Sequence, residues 1–111
     1  MKPDSKSVIC EINSADSSRL VELKGIGPVL SGRIIKYRRL LGGFVSVSQL
    51  TEVYGIDSAL VKSLSKYLAV DSSLVTRIDI NSSGYGDLVR HPYISPEQAN
   101  LIIRYRSRVG F

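Results

Sequence analysis

Apolar residues recur at helical spacing along most of the chain and predict short helices separated by tight turns. The longest such series has spacings of four, three and four residues and consists of Leu30, Ile34, Tyr37 and Leu41. These side chains fall on one face of a helix. Pro28 suits the first position of that helix because its missing N–H has no helical partner there, and Gly42-Gly43 end it.

Shorter segments with the same spacing predict further helices. They cover about residues 14–23, 46–53 and 58–67, and a long helix follows Pro96. Ser14 is the expected N-cap of the first, because its hydroxyl can accept a hydrogen bond from an amide of the first turn. Ser46 with Gln49 is a capping box that opens the second. The pattern as a whole predicts an all-α fold.

A glycine-rich turn joins the first two predicted helices. Its sequence is Leu23-Lys24-Gly25-Ile26-Gly27-Pro28, called hairpin 1 below. Glycine reaches positive φ at little steric cost, so both glycines are expected to shape the turn. Such a turn can direct successive amides outward beside a helix N-terminus, which favours an anion. We therefore predict a phosphate site at hairpin 1, and we expect Gly27→Val to distort the turn and abolish binding.

The same turn recurs twice with fewer glycines. Hairpin 2 is Val53-Tyr54-Gly55-Ile56-Asp57, and hairpin 3 is His91-Pro92-Tyr93-Ile94-Ser95-Pro96. Asp57 replaces the second glycine of hairpin 2, and its carboxylate would repel phosphate. Hairpin 2 is therefore predicted to bind poorly and to serve mainly in packing. Hairpin 3 has no glycine but keeps the isoleucine, which favours a structural role.

The chain also matches itself at an offset of 68 residues. Ile12-Asn13-Ser14 matches Ile80-Asn81-Ser82, and Ile34-Ile35-Lys36-Tyr37-Arg38 matches Ile102-Ile103-Arg104-Tyr105-Arg106. The second copy, beginning at Ser82 or Ser83, stops where the first continues, so we expect a fragment of a longer repeat protein. The predicted organisation is a flexible segment at 1–11, a unit with two hairpins at 12–70, a linker at 71–79 and a partial second unit at 80–111.

Charge supports the phosphate hypothesis. The chain of 111 residues has a formal net charge of +5, with eight Lys and Arg against four Asp and Glu in residues 1–45. Residues 46–75 carry two against three, so the basic excess lies beside hairpin 1 rather than hairpin 2. A basic surface near an anion-shaped turn is typical of nucleic-acid binding.

Composition argues against several other classes of protein. No apolar run approaches 18 residues, the length needed to cross a membrane, and residues 1–7 contain no signal-peptide hydrophobic stretch. Cys10 is the single cysteine, which excludes an internal disulfide. His91 is the single histidine, and no paired carboxylates, nucleophile–base pair or phosphate loop with lysine accompanies it. We expect no catalytic site, metal or cofactor, and the oligomeric state stays open.

The pattern apolar-x-Gly-Ile-Gly between a short and a longer helix resembles the helix-hairpin-helix motif. With the flanking residues 12–68, it resembles the tandem helix-hairpin-helix domain of ComEA-type competence proteins. The resemblance implies tandem repeats of short helices joined by tight glycine hairpins. It also implies double-stranded DNA binding without sequence preference during natural transformation, at the outward face of the bacterial cell envelope.

Under this hypothesis the amides of Gly25, Ile26 and Gly27 donate to a backbone phosphate, and Ile26 points inward to fix the turn. The cations expected to extend the site are Lys24, Arg33, Lys36 and Arg39. A weaker secondary contact would use Gly55, Ile56 and Lys62. Contacts of this kind position a duplex and carry no base information.

Two other functions stay open. The chain could be a structural or protein-interaction module that kept the fold and lost DNA binding, since an extrinsic subunit of photosystem II has a similar tandem fold. It could also be an accessory domain of a nuclease or repair enzyme. The cations around hairpin 1 favour DNA binding over a purely structural role.

Overall fold

The computed structural model describes residues 9–76, 78–80 and 82–109. The described residues form five α-helices: α1 (Ser17–Leu20), α2 (Pro28–Leu41), α3 (Ser58–Leu64), α4 (Tyr85–Arg90) and α5 (Pro96–Val109). Three short 3₁₀ helices span Val47–Glu52, Ser65–Tyr67 and Ser72–Leu74. Two strands of two residues each, β1 (Cys10–Glu11) and β2 (Leu68–Ala69), complete the elements. The expectation of an all-α fold is confirmed.

The central helix α2 has the predicted bounds, whereas α1 is shorter than predicted. Its N-cap is Asp16, whose side chain accepts a hydrogen bond from the Arg19 amide at 2.9 Å. The predicted cap, Ser14, instead donates its hydroxyl to the Glu11 carboxylate at 2.7 Å. The aspartate competes successfully because an ionised acceptor bonds the helix amides more strongly than a hydroxyl.

The other helix predictions need smaller corrections. The short helix predicted at 46–53 is the 3₁₀ helix Val47–Glu52, with Gln49 Oε1 accepting from the Ser46 amide at 3.1 Å. The segment 58–67 divides into α3 and the 3₁₀ turn Ser65–Tyr67. In the second copy the first helix, α4, has Gly84 as its N-cap. Local hydrogen bonds determine where these helices begin and end, and the spacing of apolar residues does not predict those hydrogen bonds.

Strands β1 and β2 join the two ends of the first unit. They pair in parallel, Cys10 with Leu68 and Glu11 with Ala69, and the Ile12 amide extends the pairing to the Ala69 carbonyl at 3.0 Å. Residues 10 and 11 were expected to lie in a flexible segment, and this expectation is wrong for both. Residues 1–8, 77, 81, 110 and 111 lie outside the described residues.

The core of the first unit is a cluster of aliphatic side chains around Phe44, which is fully buried. The isoleucines of hairpins 1 and 2 belong to this cluster, and Ile26 and Ile56 are each 5% exposed. The predicted inward direction of Ile26 is therefore confirmed. Burying an isoleucine contributes about 1.5–3 kcal/mol, so each hairpin is fixed to the core by its central residue.

Polar side chains near β1 hold the loops that surround the core. Asn13 exchanges hydrogen bonds with the Phe44 amide at 2.7 Å and the Phe44 carbonyl at 2.8 Å. Glu11 accepts from the amides of Asp71 at 2.7 Å and Asn13 at 3.0 Å. These contacts connect the start of the unit to the loop after α2 and to the segment after β2.

The internal sequence repeat has a counterpart in one hydrogen-bonding pattern. Near the end of α2, the Arg38 guanidinium donates to the carbonyls of Ile12 at 2.9 Å and Ala15 at 2.7 Å. At the matching place in α5, Arg106 donates to the carbonyls of Ile80 at 3.0 Å and Ser83 at 2.6 Å. In each copy the arginine therefore fixes the loop that precedes the short helix.

Arg38→Ala should lower the free energy of unfolding by about 2–4 kcal/mol, because two carbonyl groups lose a charged donor. The neighbouring Arg39 is exposed on the same helix. Arg39→Ala is therefore the matched control and should change stability by less than about 0.5 kcal/mol. Urea denaturation followed by circular dichroism measures both, and equal losses would contradict the assignment of Arg38 as the clamp.

The stability of the first unit should depend on pH through Glu11. Partial burial alone would raise the pKa of Glu11, but hydrogen bonds from the Ser14 hydroxyl and from the Asp71 and Asn13 amides outweigh it and leave the pKa below its ordinary value. A lowered folded-state pKa stabilises the protein above the unfolded-state pKa, and this contribution disappears as pH falls through the folded-state value. Glu11→Gln should therefore cost stability at pH 7 and cost less in acid, as measured by urea midpoints at both pH values. An equal cost at both would contradict this role.

Candidate nucleic-acid interface

Hairpins 1 and 2 have the same backbone geometry. In each, the amide of the central isoleucine closes the turn at 3.0 Å, from Ile26 to the Leu23 carbonyl and from Ile56 to the Val53 carbonyl. Gly25 has φ of 93° and Gly55 has φ of 94°. Side chains rarely adopt this conformation, so glycine is required at the first position of both turns.

Each hairpin packs on the helix that follows the other hairpin. A Cβ atom at Gly25 would lie 2.8 Å from Leu60 Cδ1 in α3, and one at Gly55 would lie 2.9 Å from Leu30 Cδ2 in α2. The two turns and the two helices therefore support each other reciprocally. Glycine at positions 25 and 55 serves this close packing as well as the turn.

The helix N-termini after the hairpins differ in how their first amides are satisfied. In α3 the Asp57 carboxylate accepts from the Leu60 amide at 2.8 Å, and at α5 the Ser95 hydroxyl accepts from the Gln98 amide at 3.1 Å. The equivalent amide in α2 belongs to Leu30, whose cap residue is Gly27 and has no side chain to offer. Hairpin 1 therefore leaves open the donors that the other two hairpins use internally.

The space in front of Gly27 is empty. Apart from the adjoining residues Ile26 and Pro28, no heavy atom of the described residues lies within 4 Å of the position that a Cβ atom would occupy there. Its φ of −99° and ψ of −170° are extended values open to any residue. The backbone therefore gives no reason to expect that Gly27→Val distorts the turn, because in hairpin 1 Gly25 carries the positive φ and Gly27 does not. A side chain at position 27 would instead fill the space through which an anion reaches the helix.

One donor of the predicted phosphate site also needs correction. The Ile26 amide was expected to bind phosphate, but it donates to the Leu23 carbonyl inside the turn. The amides of Gly27, Val29 and Leu30 make no hydrogen bond within the part of the chain that the structure describes. Val29 is 65% exposed, so its side chain in the first turn of α2 lies at the surface.

The predicted cations divide between two places. Lys24 is exposed beside hairpin 1, and Lys36 and Arg39 are exposed along α2. Arg33, in contrast, donates to the Tyr54 carbonyl at 3.0 Å and lies 4.7 Å from the centre of the Tyr54 ring. Arg33 was expected to extend the phosphate site from the first turns of α2, and in the structure its guanidinium contacts hairpin 2.

Hairpin 2 presents a different surface to solvent. Gly55 and Asp57 are exposed, Ile56 is buried, and Lys62 is exposed one turn into α3. The Asp57 carboxylate occupies the helix N-terminus that a phosphate would need. Its role as a helix cap was missed in the sequence, although aspartate three residues before an amide in need of a partner is a recognised N-cap signal.

Hairpin 3 is held against the first unit by tyrosine hydroxyls. Tyr93 donates to the Glu52 carboxylate at 2.8 Å and accepts from Gln49 Nε2 at 2.7 Å, while Tyr37 donates to Glu52 at 2.6 Å. Burial and the hydrogen bond to Glu52 raise the pKa of Tyr37. Burial and the Glu52 carboxylate likewise raise the pKa of Tyr93 against the opposing hydrogen bond from Gln49. Both hydroxyls therefore stay protonated and act as donors.

Two negative findings concern the described residues. They contain no group of three or more His, Cys, Asp or Glu side chains placed to hold a metal ion. Among the described helices, none combines the length and the apolar character needed to span a lipid bilayer.

These features define a helix-hairpin-helix protein with one open and two self-capped turns. Residues 5–69, more than half of the chain, match the family described as the helix-hairpin-helix motif, and the chain belongs to that family. Membership indicates nucleic-acid binding in general.

A curated relative gives a more distant comparison. The chain is 23% identical over 120 aligned residues to the Endonuclease/exonuclease/phosphatase family domain-containing protein 1 of Xenopus laevis. The alignment covers 89% of this chain and 22% of that protein, so the chain spans about a fifth of its relative. No solved structure matches the chain.

Alanine substitutions should separate the two glycines of hairpin 1. Gly25→Ala should destabilise the fold by about 1–3 kcal/mol, since it combines positive φ with a clash against Leu60. Gly27→Ala should cost less than about 1 kcal/mol, because its backbone is unstrained and its surroundings are empty. Thermal or urea unfolding measures both, and equal destabilisation would contradict the division of roles.

Proposed function

We propose that hairpin 1 binds the phosphate backbone of double-stranded DNA without reading its sequence. The observation that supports this is the uncapped N-terminus of α2 at Gly27, where the amides of Gly27, Val29 and Leu30 have no hydrogen-bond partner among the described residues. An anion there gains hydrogen bonds from these amides and the favourable field of a helix of 14 residues.

The exposed cations place the duplex along α2. Lys24 lies at the turn, and Lys36 and Arg39 share the exposed face of α2 with Val29. Amides and flexible cations recognise phosphate oxygens, which are the same for every base pair. Binding should therefore be independent of sequence and sensitive to salt. The described residues are proposed to hold DNA and not to react with it.

Two biological settings suit this activity. The resemblance to ComEA-type proteins favours DNA uptake, in which a receptor must hold any duplex regardless of sequence. The name of the Xenopus laevis relative favours an accessory module that holds DNA for a catalytic domain of the endonuclease, exonuclease or phosphatase kind. An immunoblot and a nuclease assay of cells that make the protein distinguish the two settings. A band far above 12.2 kDa together with nuclease activity supports the second setting.

A structural role is the competing function. Hairpins 2 and 3 satisfy their own helix amides with Asp57 and Ser95, and hairpin 3 is fixed to Glu52. These two turns are proposed to act in packing. Of the three hairpins, hairpin 1 is then the one that binds phosphate, so its role can be tested at a single residue, Gly27.

Fluorescence anisotropy with two unrelated duplexes should give equal affinities. If two to four phosphates are neutralised, log affinity should fall against log salt with a slope of about −2 to −4. A difference between the duplexes larger than the experimental error would contradict sequence-independent binding. An absence of binding at low salt would favour the structural role.

Substitutions at the helix cap should exchange the properties of hairpins 1 and 2. Gly27→Asp copies Asp57 and should stabilise the protein by a few tenths of a kcal/mol while reducing duplex affinity at least tenfold. Gly27→Ser fills the same amide without adding charge and should lose less affinity. The converse change, Asp57→Gly, should uncap α3 and increase affinity. Anisotropy and urea denaturation on the same samples measure both effects, and retained affinity in Gly27→Asp would remove hairpin 1 from the interface.

A further inference from the structure

A cavity of about 300 Å³ lies where the end of α2 meets the second repeat. Three of the residues that line it have nitrogen-bearing side chains: Arg39 from α2, Arg90 at the end of α4, and His91 just after it. Gly42 and Thr76 form part of another wall, where the Thr76 amide donates to the Gly42 carbonyl at 2.7 Å. That contact holds the segment after β2 against the end of α2.

The polar groups of this cavity suit an anion. Arg39 and Arg90 form no ion pair or hydrogen bond with any residue in the described ranges, and both are exposed. The Nδ1 atom of His91 accepts from the Tyr93 amide at 3.1 Å, so in the neutral ring Nε2 carries the proton and is a donor. Asp87 is the one carboxylate among the lining residues, so two guanidinium groups leave the cavity with net positive charge.

The cavity lies at the end of the surface that hairpin 1 begins. Gly32, Lys36 and Arg39 are exposed at spacings of four and three residues, which places them on one face of α2. From Gly27 to Arg39 this face is about 18 Å long at 1.5 Å per residue. That length corresponds to roughly five base-pair steps at about 3.4 Å each. A duplex lying along α2 from hairpin 1 therefore reaches the second repeat.

We propose that Arg39 and Arg90 together bind a second phosphate of the duplex held at hairpin 1, which makes the second repeat part of the DNA-binding surface. The inference rests on the proposed function of hairpin 1 for the presence of the duplex. It assigns the second repeat a role that its own hairpin, closed by Ser95 and fixed by Tyr93, does not supply. Two arginines from different repeats bind one phosphate, and the duplex bridges the two repeats.

Anisotropy titrations with a duplex of about 20 base pairs test the cavity between Arg39 and Arg90, called the cleft below. This duplex is several times longer than the face of α2. Arg39→Ala and Arg90→Ala should each weaken binding about three- to tenfold and reduce the magnitude of the salt slope by about 0.9. Arg104→Ala is the matched control, because it removes the same charge from an exposed site outside the cavity. An effect of Arg90→Ala no larger than that of Arg104→Ala would overturn the proposal.

The double variant tests whether the two arginines share a phosphate. If they do, Arg39→Ala with Arg90→Ala should reduce the salt slope by about the same 0.9 as either change alone. A reduction near twice that value would mean two independent contacts and would overturn the shared site. Asp87→Asn should increase affinity, because it removes the carboxylate from the cavity wall, and an unchanged or lower affinity would count against the cleft.

The Gly27→Asp variant keeps this proposal separate from that of hairpin 1. If Gly27→Asp loses affinity while Arg90→Ala behaves as its control, hairpin 1 binds DNA and the cleft does not. If Arg90→Ala loses affinity while Gly27→Asp binds normally, the cleft binds DNA and the proposed role of hairpin 1 fails. Far-ultraviolet circular dichroism of each variant confirms that the helices are intact.

Discussion

A helix begins with amide groups that have no partner within the helix, and the way in which each helix after a hairpin satisfies them decides what that hairpin can bind. In α3 and α5 the cap side chain accepts from the third amide, at 2.8 Å from Asp57 and at 3.1 Å from Ser95. In α2 the cap is Gly27, and the corresponding amide has no hydrogen-bond partner among the described residues. One side chain therefore separates a closed turn from an open one, although the backbone of hairpin 2 closely copies that of hairpin 1. The candidate interface depends on this absence of a cap.

The two glycines of hairpin 1 have different physical roles. Gly25 has positive φ and packs against Leu60, so it belongs to the turn and to the contact with α3. Gly27 has an extended backbone with free space around it, so the fold does not require glycine there. Because it has no side chain, the first amides of α2 stay uncapped. The reciprocal packing of each hairpin on the other's helix keeps α2 and α3 in place while only hairpin 1 stays open.

The second repeat combines a retained structural contact with a changed turn. Arg106 fixes the carbonyls of Ile80 and Ser83 as Arg38 fixes those of Ile12 and Ala15. Hairpin 3 carries Tyr93, whose hydroxyl binds Glu52 of the first unit. This contact positions α4 beside the end of α2, where Arg90 and Arg39 line one cavity. The second repeat thus contributes a cation by its position rather than through its own turn.

The sequence by itself determined the helical fold, the bounds of α2, the burial of Ile26 and the basic character of the region around hairpin 1, because apolar spacing, proline, glycine and charge act locally. It also indicated that hairpins 2 and 3 are poor phosphate sites. Only the tertiary structure decided which groups meet across the chain. It placed the Arg33 guanidinium on hairpin 2, paired residues 10 and 11 with β2, and put Arg39 and Arg90 on the lining of one cavity. These contacts join residues separated by up to about 60 positions, and no local pattern encodes the packing of one turn on a distant helix.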